Sequence, residues 1–340
     1  MNPVELNRCP GTLKEGFKTY SPSCKRNLFM GRSVSHVLPF FSPGQESEDQ
    51  VLFLENRKRI SISGVQEKIT LFLEKNKFRL PKENESGQYI LKPIPRDLLN
   101  VSQVPANEHL TMQIAEQIFD IKTAQNALIF FKDNTPAYIT KRFDIREDGS
   151  RNRIEDFASL AQKTEENEGK DFKYNFSYLE IADLIKKYVP AYIPQLERFY
   201  TLVLFNYLFS NGDAHLKNFS LLETKSGDFL LAPAYDLVCT RLHIDDGDVA
   251  LNEGLYENDY KHPSYAKLGF YAYDDLYDFG LKIGLNENRI QKILFVLSSN
   301  QEKVISMIHN SYLNIDCKEK YEMFYLNKLI RFKMSESGRI

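Results

Sequence analysis

Asp213, Asn218 and Asp236 are of the types, and at the spacing, that phosphoryl transfer requires. One carboxylate must receive or orient the proton of the attacking hydroxyl, while an Asn and a second carboxylate hold Mg²⁺ against the nucleotide phosphates. Asp213 and Asn218 share the run Asn211-Gly212-Asp213-Ala214-His215-Leu216-Lys217-Asn218, and Asp236 follows beyond two short apolar runs. Any one of these residues alone reads better as part of a solvated loop. Asp-x4-Asn with an Asp after a hairpin is much less common by chance.

The flanking residues supply the elements needed to place that trio. Gln195 to Phe209 has helical spacing and stops at Ser210-Asn211-Gly212, so Asp213 opens a loop that stands on a packed helix. Phe219 to Leu222 and Phe229 to Leu231 read as strands around the turn Lys225-Ser226-Gly227-Asp228, and the hairpin returns Asp236 beside Asn218. His215 reads as a structural residue that fixes the loop through hydrogen bonds.

A nucleotide-gripping half is expected upstream. Ile60 to Leu73 reads as strand, small-residue turn and strand, with Gly64 permitting close backbone approach to phosphate oxygens. Gln88 to Lys92 is a short apolar strand ended by Pro93, which places Lys92 to reach the α- and β-phosphates. Asn107 to Ile118 carries apolar residues at helical spacing, and Glu108 near its start is positioned to pair with Lys92. The helix dipole also favours an acid there, so Glu108 alone proves little. Ala137 to Asp144 is a strand that turns polar, the form expected of a hinge whose backbone meets adenine.

Taken together, Ser61-x-Ser63-Gly64-Val65-Gln66-Glu67-Lys68, the Lys92 strand, Asn107-Glu108, Lys141-Arg142-Phe143-Asp144, Glu155-Asp156-Phe157 and Gly212-Asp213-Ala214-His215-x-Lys217-Asn218 occur in the order seen in HipA-type kinases, which the chain resembles. Those are bacterial serine/threonine kinases acting as toxins of type II toxin–antitoxin systems. The resemblance implies an α+β, bilobal, protein-kinase-like fold, with a sheet-rich lobe over residues 1–144 and a helical lobe over 145–340. It implies Asp213 as catalytic base and Asn218 and Asp236 as Mg²⁺ ligands. ATP contacts would come from Ser61, Ile62, Ser63, Gly64, Val65, Gln66, Glu67, Lys92, Lys141, Arg142, Phe143, His215 and Lys217. Glu108 and Asp144 would support them, and Asp144 with the segment Arg241 to Asp248 could help receive the substrate. Ser61 and Ser63 are autophosphorylation candidates in the manner of the shorter HipT branch. A phosphate of about −1.5 to −2 in a loop that must attract ATP would repel it.

The same resemblance implies a DNA-binding, HipB-like antitoxin as partner and an aminoacyl-tRNA synthetase as substrate class. Only about sixty residues precede the Ser-x-Ser loop, fewer than in full-length HipA proteins. A separate small HipS-like protein is therefore expected in place of the N-terminal subdomain. Two alternatives use some of the same features: a small-molecule kinase of the aminoglycoside or choline type, and a catalytically silent, antitoxin-bound repressor component.

Composition agrees with a soluble enzyme. The 340 residues include 42% hydrophobic and 26% charged side chains, and the net charge of −2 lacks the basic footprint of a stand-alone DNA binder. No long apolar run or signal-peptide pattern is present, which places the chain in the bacterial cytoplasm. Cys9, Cys24, Cys239 and Cys317 read as reduced structural thiols, since no second close pair completes a zinc site around Cys9 and Cys24. Residues 1–54 read as a polar lead, Glu165 to Asp171 as a solvated loop, and Phe176 to Val189 and Glu287 to His309 as helices.

Overall fold

The structure, a computed structural model, describes residues 4–43, 67–82, 85, 87–96, 98–146, 148–258 and 260–338. The loop residues Ser61, Ile62, Ser63, Gly64, Val65 and Gln66 lie outside the described residues; Glu67 lies within them, half-buried ahead of the first strand. The chain divides into two units. The first comprises Met1–Gln113, Ala124–Ser150 and Met307–Lys318, and the second Ile114–Thr123, Arg151–Ser306 and Glu319–Ile340.

The first unit opens with helix α1 (Pro22–Phe29), capped by Ser21, whose hydroxyl accepts from Cys24 N–H. Its sheet has the strands β1 (Ile69–Glu74), β2 (Lys77–Arg79) and β3 (Tyr89–Lys92), then helix α2 (Val104–Gln117), then β4 (Asn126–Phe130) and β5 (Pro136–Lys141). The spatial order is β2-β1-β3-β5-β4, and every pairing is antiparallel. The period of two is plain in β1, where Ile69, Leu71 and Leu73 are buried and the residues between them are not. Register sets Leu91 opposite Ile69 on one side and Ile139 on the other, and Lys92 opposite Tyr138.

Residues 4–43 do more than the polar lead expected of them. Tyr20, Leu28, Phe29, Leu38 and Phe40 join Leu71, Tyr89, Leu91 and Ile129 in one buried cluster. Phenol hydrogen bonds lock that packing: Tyr20 donates to Leu128 O at 2.9 Å, and Tyr89 donates to Leu28 O at 2.8 Å. The outer side of β4 is covered as well, because Phe130 N–H donates to His36 O and Leu38 N–H donates to Phe130 O. An edge strand whose polar groups are paired in this way offers no template for a foreign strand. Cys9, Cys24, Cys239 and Cys317 are buried, and none of the four forms a disulfide among the described residues.

The second unit has strand β6 (Ile154–Asp156), helices α3 (Phe157–Leu160), α4 (Glu165–Glu168), α5 (Tyr178–Tyr188) and α6 (Tyr192–Leu208), and strands β7 (Ser220–Glu223) and β8 (Phe229–Leu231). Helices α7 (Pro263–Leu268), α8 (Tyr273–Lys282), α9 (Glu287–Ser299), α10 (Gln301–His309) and α11 (Ile315–Lys333) complete the chain. Strands β6, β7 and β8 form an antiparallel three-stranded sheet. Two expectations change. The single helix expected over 287–309 is broken at Asn300, whose side-chain amide donates back to Val296 O. The expected solvated loop at Glu165 contains a helical turn, fixed by a Thr164–Asn167 capping box. Among the described residues no helix is long and apolar enough to cross a membrane.

His109, in α2, is fully buried with Nε2 3.2 Å from Gly11 O, and burial pushes its pKa down to about 4 from an ordinary 6.5. Between those values the unfolded chain binds a proton that the folded chain refuses. Stability is therefore complete above pH 6.5 and declines as pH falls through about 4, by about 3 kcal/mol at the limit. We expect urea midpoints to fall across that window and His109→Gln to flatten the slope; an unchanged slope in the variant would exclude His109 as its source.

Candidate active site

Lys92 ends β3 with its side chain 5% exposed, and Glu108 in α2 is 4% exposed. Their Nζ and Oε1 atoms lie 2.5 Å apart. Lys92 Nζ also lies 5.3 Å from the centre of the Tyr138 ring, its cross-strand partner's side chain. Two charges withdrawn from water this far are stable only as a pair, and removing one partner of such a pair costs about 3–5 kcal/mol. Beyond β5, Arg142 grips the buried Asp144 through two bonds, Nε to Oδ1 at 3.0 Å and Nη2 to Oδ2 at 2.5 Å. Lys141 N–H donates to Gln125 O and Arg142 N–H to Gln88 O, while Phe143 is half-buried after the strand.

In the second unit the loop expected to carry chemistry hangs from the end of α6. That helix begins before the predicted Gln195, with Pro194 tolerated in its first turn. It ends at Leu208, and the chain turns with Ser210 at φ +51°, within the expected Ser210-Asn211-Gly212 stop. Asn211 then bonds back to Asn206 through both backbone and side chain, each at 2.9 Å. The Thr240 hydroxyl donates to Ser210 O and accepts Gly212 N–H. Gly212 is required for room: a Cβ there would meet the Asp246 carboxylate and stand 2.7 Å from Gly247 O.

Asp213 projects from this loop with its side chain 45% exposed. Its Oδ1 accepts the Tyr174 phenol at 2.6 Å, and His215 Nε2 lies 3.8 Å from the same oxygen. Burial pushes His215 down to about 4, so its imidazole is neutral at pH 7, and its buried Nδ1 takes no hydrogen bond among the described residues. The Asp246 carboxylate, buried against the loop, is pushed up by desolvation with a smaller contribution from Asp213. The loop backbone is held from outside as well, since Tyr178 donates to Ala214 O at 2.9 Å.

Asn218 ends a 3-10 turn, Leu216–Asn218, in which its Oδ1 accepts His215 N–H at 3.1 Å. Its Nδ2 lies 3.5 Å from Asp236 Oδ2. The β7–β8 hairpin makes this meeting possible, pairing Leu221 with Leu231 and Glu223 with Phe229. Tyr235 sets the final approach. Its phenol donates to Lys217 O at 2.9 Å and shares a 2.5 Å bond with the Ser220 hydroxyl, tying the residue before Asp236 to the residue before Asn218. Asp236 itself stands at φ +57°, a left-handed backbone that Asp tolerates better than most residues. Lys217 lies with its ammonium 6.0 Å from the Phe172 ring centre.

The donor set fits a hard cation. A side-chain amide and a carboxylate offer oxygen, and Mg²⁺ usually takes only one or two protein carboxylates besides phosphate and water. Among the described residues no cluster of three or more His, Cys, Asp or Glu side chains is arranged to hold a metal ion. The structure thus brings together Lys92 with Glu108, Arg142 with Asp144, and Asp213, His215, Asn218 and Asp236 around one loop and hairpin. Sequence reading missed Tyr174 and Tyr235, and a possible signal existed only for Tyr235, through its position next to Asp236. The Arg241 to Asp248 segment is pinned at its end: Asp248 pairs with Lys328 at 2.5 Å and with Arg331 at 3.2 Å, both on α11.

A model of the HipA-like C-terminal domain matches residues 60–304. A Haemophilus influenzae protein named "Putative kinase" is 29% identical over 92% of this chain and 94% of its own. The serine/threonine-protein kinase toxin HipA of Shewanella oneidensis is 29% identical over 56% of this chain, which spans 46% of that relative's length. Among solved structures, Shewanella oneidensis HipA, in a complex with HipB and operator DNA, superposes with a TM-score of 0.64 at 22% identity, over 87% of this chain and 73% of that one. The Helicobacter pylori proinflammatory kinase CtkA gives a TM-score of 0.51 at 17% identity, over 78% of this chain and 90% of that one. The fold is thus the HipA-like, kinase-like mixed α/β fold that the motif order implied.

The steric reason for Gly212 gives a direct check. Gly212→Ala should lower thermal stability by about 1–3 kcal/mol, because the backbone of Gly247 cannot yield as a side chain would. An unaltered melting temperature would show that the loop does not pack against residues 246–247.

Proposed function

We propose, from the premise that the chain belongs to the HipA-like C-terminal domain family, that it is an ATP- and Mg²⁺-dependent protein serine/threonine kinase acting as the toxin of a bacterial type II toxin–antitoxin system. The observation that carries this reading is the Asp213–Asn218 loop with Asp236 returned beside Asn218 at 3.5 Å. That constellation suits a reaction in which the protein supplies positioning and electrostatics rather than covalent chemistry.

In this reading Asp213 orients the acceptor hydroxyl and takes its proton. Asn218 and Asp236 hold Mg²⁺, which when bound neutralises charge on the β- and γ-phosphates. Lys92, aimed by Glu108, contacts the α- and β-phosphates, and Lys217 and the neutral His215 line the phosphate side. Lys141, Arg142 and Phe143 meet the nucleotide base, while residues 61–67 cover the phosphates, with Ser61 and Ser63 as self-phosphorylation sites. The substrate class is an aminoacyl-tRNA synthetase in the cytoplasm. A DNA-binding, HipB-like antitoxin and a separate small HipS-like protein complete the assembly, and DNA is met only through the antitoxin.

Intact and peptide mass spectrometry after incubation with ATP and Mg²⁺, beside an Asp213→Gln variant, tests the reading. We expect phosphate on Ser61 or Ser63 in the wild type and none in the variant. Nucleotide binding without phosphate on either chain would oppose it and favour a small-molecule kinase.

A further inference from the structure

We propose that Tyr174 is a positioning residue for Asp213, holding one carboxylate oxygen so that the other meets the acceptor hydroxyl. The proposal rests on the kinase reading above. Tyr174 closes a short 3-10 turn, Phe172–Tyr174, ahead of α5. Its backbone is fixed on both sides: the N–H donates to Asp171 O at 2.9 Å, and the C=O accepts Asn252 N–H at 2.9 Å. Its ring meets the His215 ring edge-on at 5.2 Å between centroids. These contacts aim the phenol at Asp213 Oδ1, where it donates at 2.6 Å.

Burial and the neighbouring Asp213, Asp171 and Asp246 carboxylates all push the phenol's pKa up. Tyr174 therefore stays protonated and acts as a permanent donor. Among the described residues this is the one hydrogen bond the Asp213 side chain accepts, and it falls on Oδ1. A carboxylate pinned through one oxygen cannot turn freely about its last torsion, so Oδ2 keeps a fixed direction.

The step then runs as follows. The acceptor hydroxyl passes its proton to Asp213 Oδ2, its oxygen forms the new bond to the γ-phosphorus, the bond from that phosphorus to the bridging oxygen breaks, and ADP departs. In this role Tyr174 need touch neither substrate nor phosphate. It acts through the orientation of Asp213, where small misplacements of a reacting group lower rate more than binding.

The full chain is incubated with ATP and Mg²⁺, and phosphate incorporation into the chain itself is timed by intact mass for the wild type, Tyr174→Phe and a chain with para-aminophenylalanine at position 174. The rate at saturating ATP should fall about tenfold to a hundredfold in Tyr174→Phe, with the half-saturating ATP concentration within about twofold of the wild type. The amino variant restores a donor and should recover at least about a third of the rate. An unchanged rate in Tyr174→Phe overturns the proposal, and a faster one shows that the phenol obstructs the hydroxyl instead. A loss shared between rate and ATP affinity, without rescue, also overturns it by assigning Tyr174 to loop packing. A wild type that transfers no phosphate overturns the kinase reading, and this inference with it.

Discussion

Holding Asn218 and Asp236 within 3.5 Å, at the two open ends of the antiparallel β7–β8 hairpin, is the constraint on which the second unit is organised. The two side chains come from a 3-10 turn and from a left-handed residue beyond a hairpin, and neither local conformation would persist alone. The Tyr235 phenol supplies the missing tie, since it reaches Lys217 O and the Ser220 hydroxyl together. Leaving either of those groups unsatisfied in a partly buried place costs about 1–3 kcal/mol, so the tie is strongly preferred. Together with the β7–β8 pairing it leads the chain on toward Thr240, which in turn pins Ser210 and Gly212 at the other end of the loop.

The first unit solves a different problem, that of placing a lysine whose side chain is only 5% exposed. Antiparallel register puts Lys92 opposite Tyr138 and leaves Glu108 as its ion partner. A buried pair of this kind is weak evidence for stability, because desolvation offsets much of the attraction. It is better evidence for placement. The charge is held at a defined point at the end of β3, with little freedom to swing into solvent.

The parts of this structure that were legible in sequence share a property: they repeat. Alternation in β1 and helical spacing in α2, α5 and α6 put those elements within a few residues of expectation, and the Lys225 to Asp228 turn foretold the β7–β8 hairpin. The motif order also pointed to the HipA-like family, which the match over residues 60–304 bears out. What did not repeat was not legible. Tyr20, Phe29 and Leu38 enter the core from irregular or short segments, so residues 4–43 read as a polar lead. The break at Asn300 depends on one side-chain amide, and the apolar spacing on either side of it continues as though the helix did. Tyr174 escaped for the same reason, since an aromatic residue in a 3-10 turn carries no spacing that distinguishes a hydrogen-bond donor from a packing residue, and Tyr235 was marked only by its place beside Asp236.

The central claim is that the Asn218–Asp236 pair is a nucleotide-linked Mg²⁺ site, and calorimetric titration of ATP into the chain, with and without Mg²⁺, tests it most directly. The account predicts that ATP binds much more tightly when Mg²⁺ is present, and that Asp236→Asn removes the difference. Equal affinity with and without the metal in the wild type, or an undiminished metal effect in the variant, would contradict it.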